Sequence, residues 1–171
     1  MERQDWTSHV FNHGIDPGWA ANIMTRVQDT GIRLSHYCIN LSDEQLSHKS
    51  RTDWSIKEHI GHLIDLEILH HDRLRQFTVL QLELSAADMS NIKTEKAEHN
   101  QKNISTLLSE FIEVRNTFIN DFRALSNESL NHKAMHPRLK VLMRPVDLLF
   151  FVAEHDDHHL ATIVKLSISN E

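Results

Sequence analysis

A single cysteine, Cys38, is all the thiol the chain carries, so no internal disulfide and no cysteine-based zinc knuckle can form. That scarcity fits a reducing compartment. Glycines number four and prolines three, too few to punctuate a sheet protein with many turns. No apolar run approaches the ~18 residues of a membrane span, and no membrane partner is expected. The stretch Met1 to Val10 has neither an apolar h-region nor a small-residue cleavage site, so a cytoplasmic location is the expectation. A basic excess is missing as well, since eighteen Lys and Arg face twenty-four Asp and Glu, for a net charge of −6. Nucleic-acid binding needs a basic footprint that displaces counterions, and none is expected here. The most basic stretch, Arg138-Leu-Lys140 to Arg144, is short and interrupted, and it reads as a solvated loop.

What the chain has is histidine, fourteen in 171 residues, together with long helical periodicity. This length suits one domain over 1–171 that buries roughly 70% of its unfolded surface without cross-links. Four segments place apolar residues at helical spacing. The first runs from about Pro17 to Leu41, with Trp19, Ile23, Val27, Leu34 and Cys38 in a stripe and Gly31 marking a close contact. The second runs from Ser55 to about Leu82, opened by the capping box Ser55-Ile-Lys-Glu58. Its stripe is Ile56, Ile60, Leu63, Glu67, His70, Leu74 and Phe77. The third spans about Asn100 to Leu125. The fourth starts near Pro145, with Asp147 at the positive end of its dipole, and continues through Leu148, Val152, His155, His159 and Ile163. Polar connections over about Glu83–His99 and Ser126–Arg144 suit a helical bundle with crossovers. The first sixteen residues lack a period and are expected to pack loosely.

His155 and His159, in Glu154-His-Asp-Asp-His-His159, are the most pointed feature. Residues i and i+4 share a helix face about 5–6 Å apart, so two neutral imidazoles there close on one ion at little conformational cost. His62, early in the second helix, is the third candidate, and three imidazoles with an open position make a reactive centre rather than a structural one. Asp65 is three residues after His62 and Asp156 three before His159, so both are candidates to accept the distal ring N–H and orient a ligand. Asp157 reads as solvated helix surface. His158 points about 100° away from His159 and reads as surface or pocket rim, and His70 and His71 lie too far beyond His62 to rank as ligands. Cys38, in an apolar stripe, reads as a packed small hydrophobe.

Two rival metal motifs fail on supply of ligands. A zincin shares the His-x-x-x-His spacing but uses a glutamate base, where this chain has Asp156, and it draws its third ligand from downstream. Twelve residues follow His159, and none is a histidine. A di-iron carboxylate bundle needs two Glu-x-x-His motifs, and Glu67-Ile-Leu-His70 is the only one found.

Trp54-Ser-Ile-Lys-Glu-His-Ile-Gly-His-Leu-Ile-Asp-Leu-Glu67, His136-Pro-Arg138 and Glu154-His-Asp-Asp-His-His-Leu160 together resemble the DinB-like superfamily of DinB- and YfiT-type bundles, over about Pro17 to Leu166. The resemblance implies an all-α, up-down-down-up four-helix bundle, often a homodimer, with a divalent metal (Zn, Ni or Fe) on His62, His155 and His159. It also implies chemistry on a small-molecule substrate, either hydrolysis or S-transfer with a low-molecular-weight thiol. An ion on three neutral imidazoles keeps its full charge and an open position for that purpose. The alternative is a non-catalytic bundle that binds a metal or small ligand. No residue stands out in the sequence as the general base.

Overall fold

A computed structural model describes residues 4–49 and 53–169. Four long helices form the frame: α1 (Ala20–Cys38), α3 (Ile56–Thr78), α5 (Ile104–Arg123) and α7 (Pro145–Ser169). Three one-turn helices decorate the connections: α2 (Asp43–Ser47), α4 (Ile92–Lys96) and α6 (Asn127–Asn131). Strands β1 (Ala134–Met135) and β2 (Leu142–Met143) pair antiparallel as a short ribbon.

Cross-helix pairs fix the topology. Arg26 and Arg33 of α1 reach Glu154 and Asp157 of α7 in the same order, so these helices run parallel. Glu67 and His71 of α3 reach Arg115 and Asp121 of α5 in the same order, so that pair is parallel too. Across α3 and α7 the order reverses, since His59 meets His159 while Leu74 and Phe77 share a cluster with Leu148 and Leu149. The result is an up-down-down-up four-helix bundle.

The capping box at Ser55 forms as its sequence requires, with Glu58 N–H donating to Ser55 Oγ (3.1 Å) and Ser55 N–H donating to Glu58 Oε2 (2.9 Å). All seven residues of the α3 stripe are buried. Gly31 meets the close contact expected of it, because a Cβ there would stand 2.9 Å from Ile112 Cγ1. Trp19 does not join its stripe and is 58% exposed, because the chain enters α1 through a turn of 3₁₀ helix over Pro17–Trp19.

Two connections differ from their sequence reading. Residues 4–16 lie against α7 rather than loosely: Phe11 is buried, Trp6 packs edge-on to Phe151, and Gly14 and Ile15 N–H groups both donate to Asp147 Oδ1 (2.8 and 2.9 Å). The basic stretch is not a solvated loop. It folds back as the ribbon, where Met135 bonds to Leu82 and Leu84 and half-buries Arg138 and Arg144. Apolar matter divides into two larger clusters, one around Phe77, Phe118 and Leu149 and another around Leu34, Phe111 and Leu160, with a small third one of Phe11, Met143 and Phe151 under the ribbon. Polar side chains fill the level between the larger two, and the site is built there.

Candidate metal centre

One nitrogen each of His62, His155 and His159 lies within 4.8 Å of the other two, and all three rings are buried. Among the described residues this is the only group of histidine, cysteine or acidic side chains so arranged. The i, i+4 pair of α7 supplies two rings, and α3, antiparallel to α7 at this level, supplies the third across the bundle. His155 Nε2 and His159 Nε2 face each other at 3.2 Å.

Burial, reinforced by the charge of neighbouring imidazoles, pushes all three rings toward the neutral form. For His62 the pKa falls to about 4. A partner on the far side of the ring assigns the proton of His62. His62 Nδ1 lies 3.1 Å from Thr94 Oγ1, whose hydroxyl donates to Asp65 Oδ2 at 3.0 Å, so the ring N–H donates to Thr94. His159 Nδ1 lies 2.8 Å from His59 Nδ1. His155 Nδ1 is buried without a partner. With its proton on Nδ1, His62 keeps its Nε2 lone pair free, and it stands in a cluster of three neutral rings with one nitrogen each within 4.8 Å of the other two, an arrangement that a cation stabilises. The donor set fits a divalent ion that accepts imidazole nitrogen.

Of the two acids expected behind the ligands, Asp65 serves His62 through Thr94 rather than directly, and His99 Nε2 holds it from the other side at 2.9 Å. A Cβ on Gly61 would fall 2.2 Å from the His99 ring, so this glycine admits that ring against α3. Asp156 does not reach His159. It turns to α5 and α1, where it accepts from Arg115 and from Thr30 Oγ1 (2.8 Å). The place expected for it behind His159 is taken by His59, three residues before His62. Its spacing was the available signal, since i−3 puts it on the face of the ligand. Asp157 is not merely solvated, because it pairs with Arg26 and Arg33 of α1.

The three rings form one wall of a cavity of about 500 Å³. Trp54 lies 4.7 Å from the His62 ring and Trp6 lies 4.9 Å from the His155 ring, centroid to centroid, so two indoles flank the trio. His158 reaches the same cavity, as a rim residue should. Another lining residue is His70, whose Nδ1 is 3.1 Å from Glu67 Oε1 while Nε2 makes no hydrogen bond among the described residues. Cys38 sits apart in an apolar cluster, and burial raises its thiol to about 11.

A family model described as the DinB superfamily matches residues 27–163. The fold is similar to that of YfiT from Bacillus subtilis, described as a probable metal-dependent hydrolase with an unusual four-helix bundle topology. That match has a TM-score of 0.81 at 18% identity and covers 95% of this chain and 93% of YfiT. A mycothiol-dependent maleylpyruvate isomerase matches with a TM-score of 0.66 at 11% identity, over 83% of this chain and 59% of the isomerase. A comparison with curated protein sequences finds no match.

Proposed function

This chain belongs to the DinB superfamily, and from that premise we propose that it is a divalent-metal-dependent enzyme. In this reading His62, His155 and His159 hold a Zn, Ni or Fe ion, and the substrate is a small molecule. The reaction is hydrolysis by an activated water or S-transfer by a low-molecular-weight thiol. The observation that carries the reading is the convergence of three neutral imidazoles on the wall of a substrate-sized cavity. When bound, such an ion acts as a Lewis acid and lowers the pKa of a water or thiol. The rest falls to the chain. His59 and the Thr94–Asp65–His99 series fix the ligand rings, and Trp6 and Trp54 keep bulk water from them. His70, with Glu67 at its Nδ1, is the group placed to hold a proton at Nε2 on the cavity side.

Elemental analysis of protein purified without chelators tests this. A stoichiometric divalent ion is expected, lost in His155→Ala. No metal in the wild type, or unchanged metal in the variant, would sink the reading. The second reading, a non-catalytic binder, is favoured by the position of Cys38, which leaves no cysteine nucleophile in the cavity. Metal-dependent turnover of a thiol with an electrophile would exclude it. A homodimer and a cytoplasmic location belong to the same proposal, and light scattering that returned only the monomer mass would remove the dimer. Among the described residues no helix is long and apolar enough to cross a membrane.

A further inference from the structure

Away from the imidazole trio, the same cavity is lined by Arg73 of α3 and by His136 and Arg138 of the ribbon. Part of their hydrogen-bonding capacity is unspent. Arg73 is 2% exposed, and its Nε and Nη2 both donate to the Ser85 carbonyl (3.0 and 2.8 Å). Its Nη1 has no partner, and no carboxylate pairs with it among the described residues. The adjacent Asp72 is committed elsewhere, to Ser85 Oγ, Gln76 and Arg75. Arg138 makes no hydrogen bond or ion pair among the described residues, and its Nη2 is buried without a partner. The two guanidiniums are near enough to repel: after burial, the charge of Arg138 is what lowers Arg73.

His136 adds a third donor. Its Nδ1 accepts from the Leu139 N–H at 3.2 Å, so the neutral ring carries its proton on Nε2, which is buried without a partner. Among the residues lining the cavity only Asp88 is acidic, and its carboxylate already accepts from Ser90 and from the Ile92 N–H. A chain with a net charge of −6 thus gathers two unpaired arginines and an unpaired N–H around one cavity. Arg73 is buried with only the charge of the neighbouring Asp72 to offset it, and Arg138 is half-buried without an ion pair among the described residues, an arrangement that an anion in the cavity stabilises.

We propose that Arg73, Arg138 and His136 form an anion subsite that binds a carboxylate or phosphate group of the substrate, opposite the imidazole trio. The planar forks of the two arginines suit the paired oxygens of either group. The substrate class becomes a small organic anion, with its charged end on the ribbon side and its reacting end at His62, His155 and His159. This rests on the reading above for the cavity being the substrate site, but the anion contacts need no metal.

The test is a titration of metal-free, full-length protein with inorganic phosphate and, separately, with propionate, followed by the side-chain NMR signals of His136 and Arg73. Saturable shifts at both residues with one common Kd are expected for at least one anion, and the tighter of the two identifies the group. In Arg138→Gln the Kd should weaken by about tenfold, the scale of a single charge-assisted hydrogen bond. Arg138→Lys, which keeps the charge but not the fork, should fall between. Both variants should fold, because Arg138 makes no hydrogen bond among the described residues. Unsaturable shifts with both anions, or a Kd unchanged in Arg138→Gln and Arg138→Lys, would overturn the subsite. Parallel titrations with zinc, nickel and iron(II), each alone, separate the two ideas: anion binding without binding of any of the three ions removes the metal reading and leaves the subsite, and the reverse removes the subsite.

Discussion

Two buried polar regions meet inside this bundle and are built on opposite principles. Around Arg115, charges answer one another. Its guanidinium lies between Glu67 and Asp156, donates to the Val27 carbonyl (3.2 Å), and stacks 4.8 Å over the Phe111 ring. Burial alone would raise the Glu67 carboxyl, yet Arg115 and the His70 bond outweigh it and hold it lowered. Along the cavity, by contrast, neutral imidazoles and two arginines face each other with nitrogens left over. The first region ties four helices together, with nearly every donor used inside the chain. The second is incomplete without something from outside. Single buried atoms without partners occur in both regions, Glu67 Oε2 among them, so what sets the cavity apart is the clustering of such nitrogens from His136, Arg138 and His155 on one wall.

The sharpest way to break this comparison is to remove the centre of the satisfied region. Arg115→Leu leaves two buried carboxylates facing each other, which should cost about 3–5 kcal/mol. For a chain of this size each kcal/mol lowers Tm by roughly 2–4 °C, so calorimetry should show a large drop. Arg138→Leu should show almost none, because it breaks no ion pair. Equal losses in the two variants would mean that both arginines are structural and that the contrast is false.

Legibility in the sequence divides along the same line. All seven residues that helical spacing put in the α3 stripe are buried, and so are His155 and His159, because local periodicity decides which face turns inward. His62, read from the sequence as early in the second helix, lies on α3 beside that pair. Partners drawn from other helices stayed hidden. Asp156 sat at a plausible spacing from His159, but Arg115 of α5 offered it a full charge, and a charge outbids a ring N–H. Arg115 itself left a faint sign, four residues after Phe111 in an apolar stripe. The stretch from Arg138 to Arg144 reads locally as a solvated loop because its partial burial depends on a ribbon folding back beside residues 82–84, at a sequence separation no local pattern reports.

Acid should take the two regions apart in order. Folding depresses His136 to about 3 and His62 to about 4, both below the ordinary histidine value of 6.5. The unfolded chain then binds protons that the folded chain refuses, so metal-free protein keeps its full stability above pH 6.5 and loses it as pH falls toward those values. The slope is at most about 1.4 kcal/mol per pH unit for each such group. Glu67 is also lowered, from 4.5, so its contribution is present above 4.5 and fades only below it. Chemical denaturation across pH should show a first decline between 6.5 and 4.5 that His136→Gln reduces and Arg115→Leu leaves in place. A single decline confined below pH 4.5 would contradict the neutral assignment of the cavity rings.

The smallest expected effect tests whether the cavity rings depend on support as the Arg115 centre does. A methyl group on Gly61 would need the space now filled by the His99 ring, 2.2 Å from its nearest carbon. His99 must move, and Asp65 then loses the partner that holds it toward Thr94 and, through Thr94, His62. Alanine favours an α-helix over glycine by about 1 kcal/mol, which offsets only part of the strain, because the clash falls on Cγ of a buried ring. Gly61→Ala should therefore lower Tm by several degrees, less than Arg115→Leu does, while its metal affinity falls by about tenfold, the usual scale for disturbing the support of a ligand. Competition with a chromogenic chelator measures that fall directly. If affinity were unchanged while His99 had moved, the Thr94–Asp65–His99 series would be packing alone, and the cavity would orient its ligands by the rings' own burial.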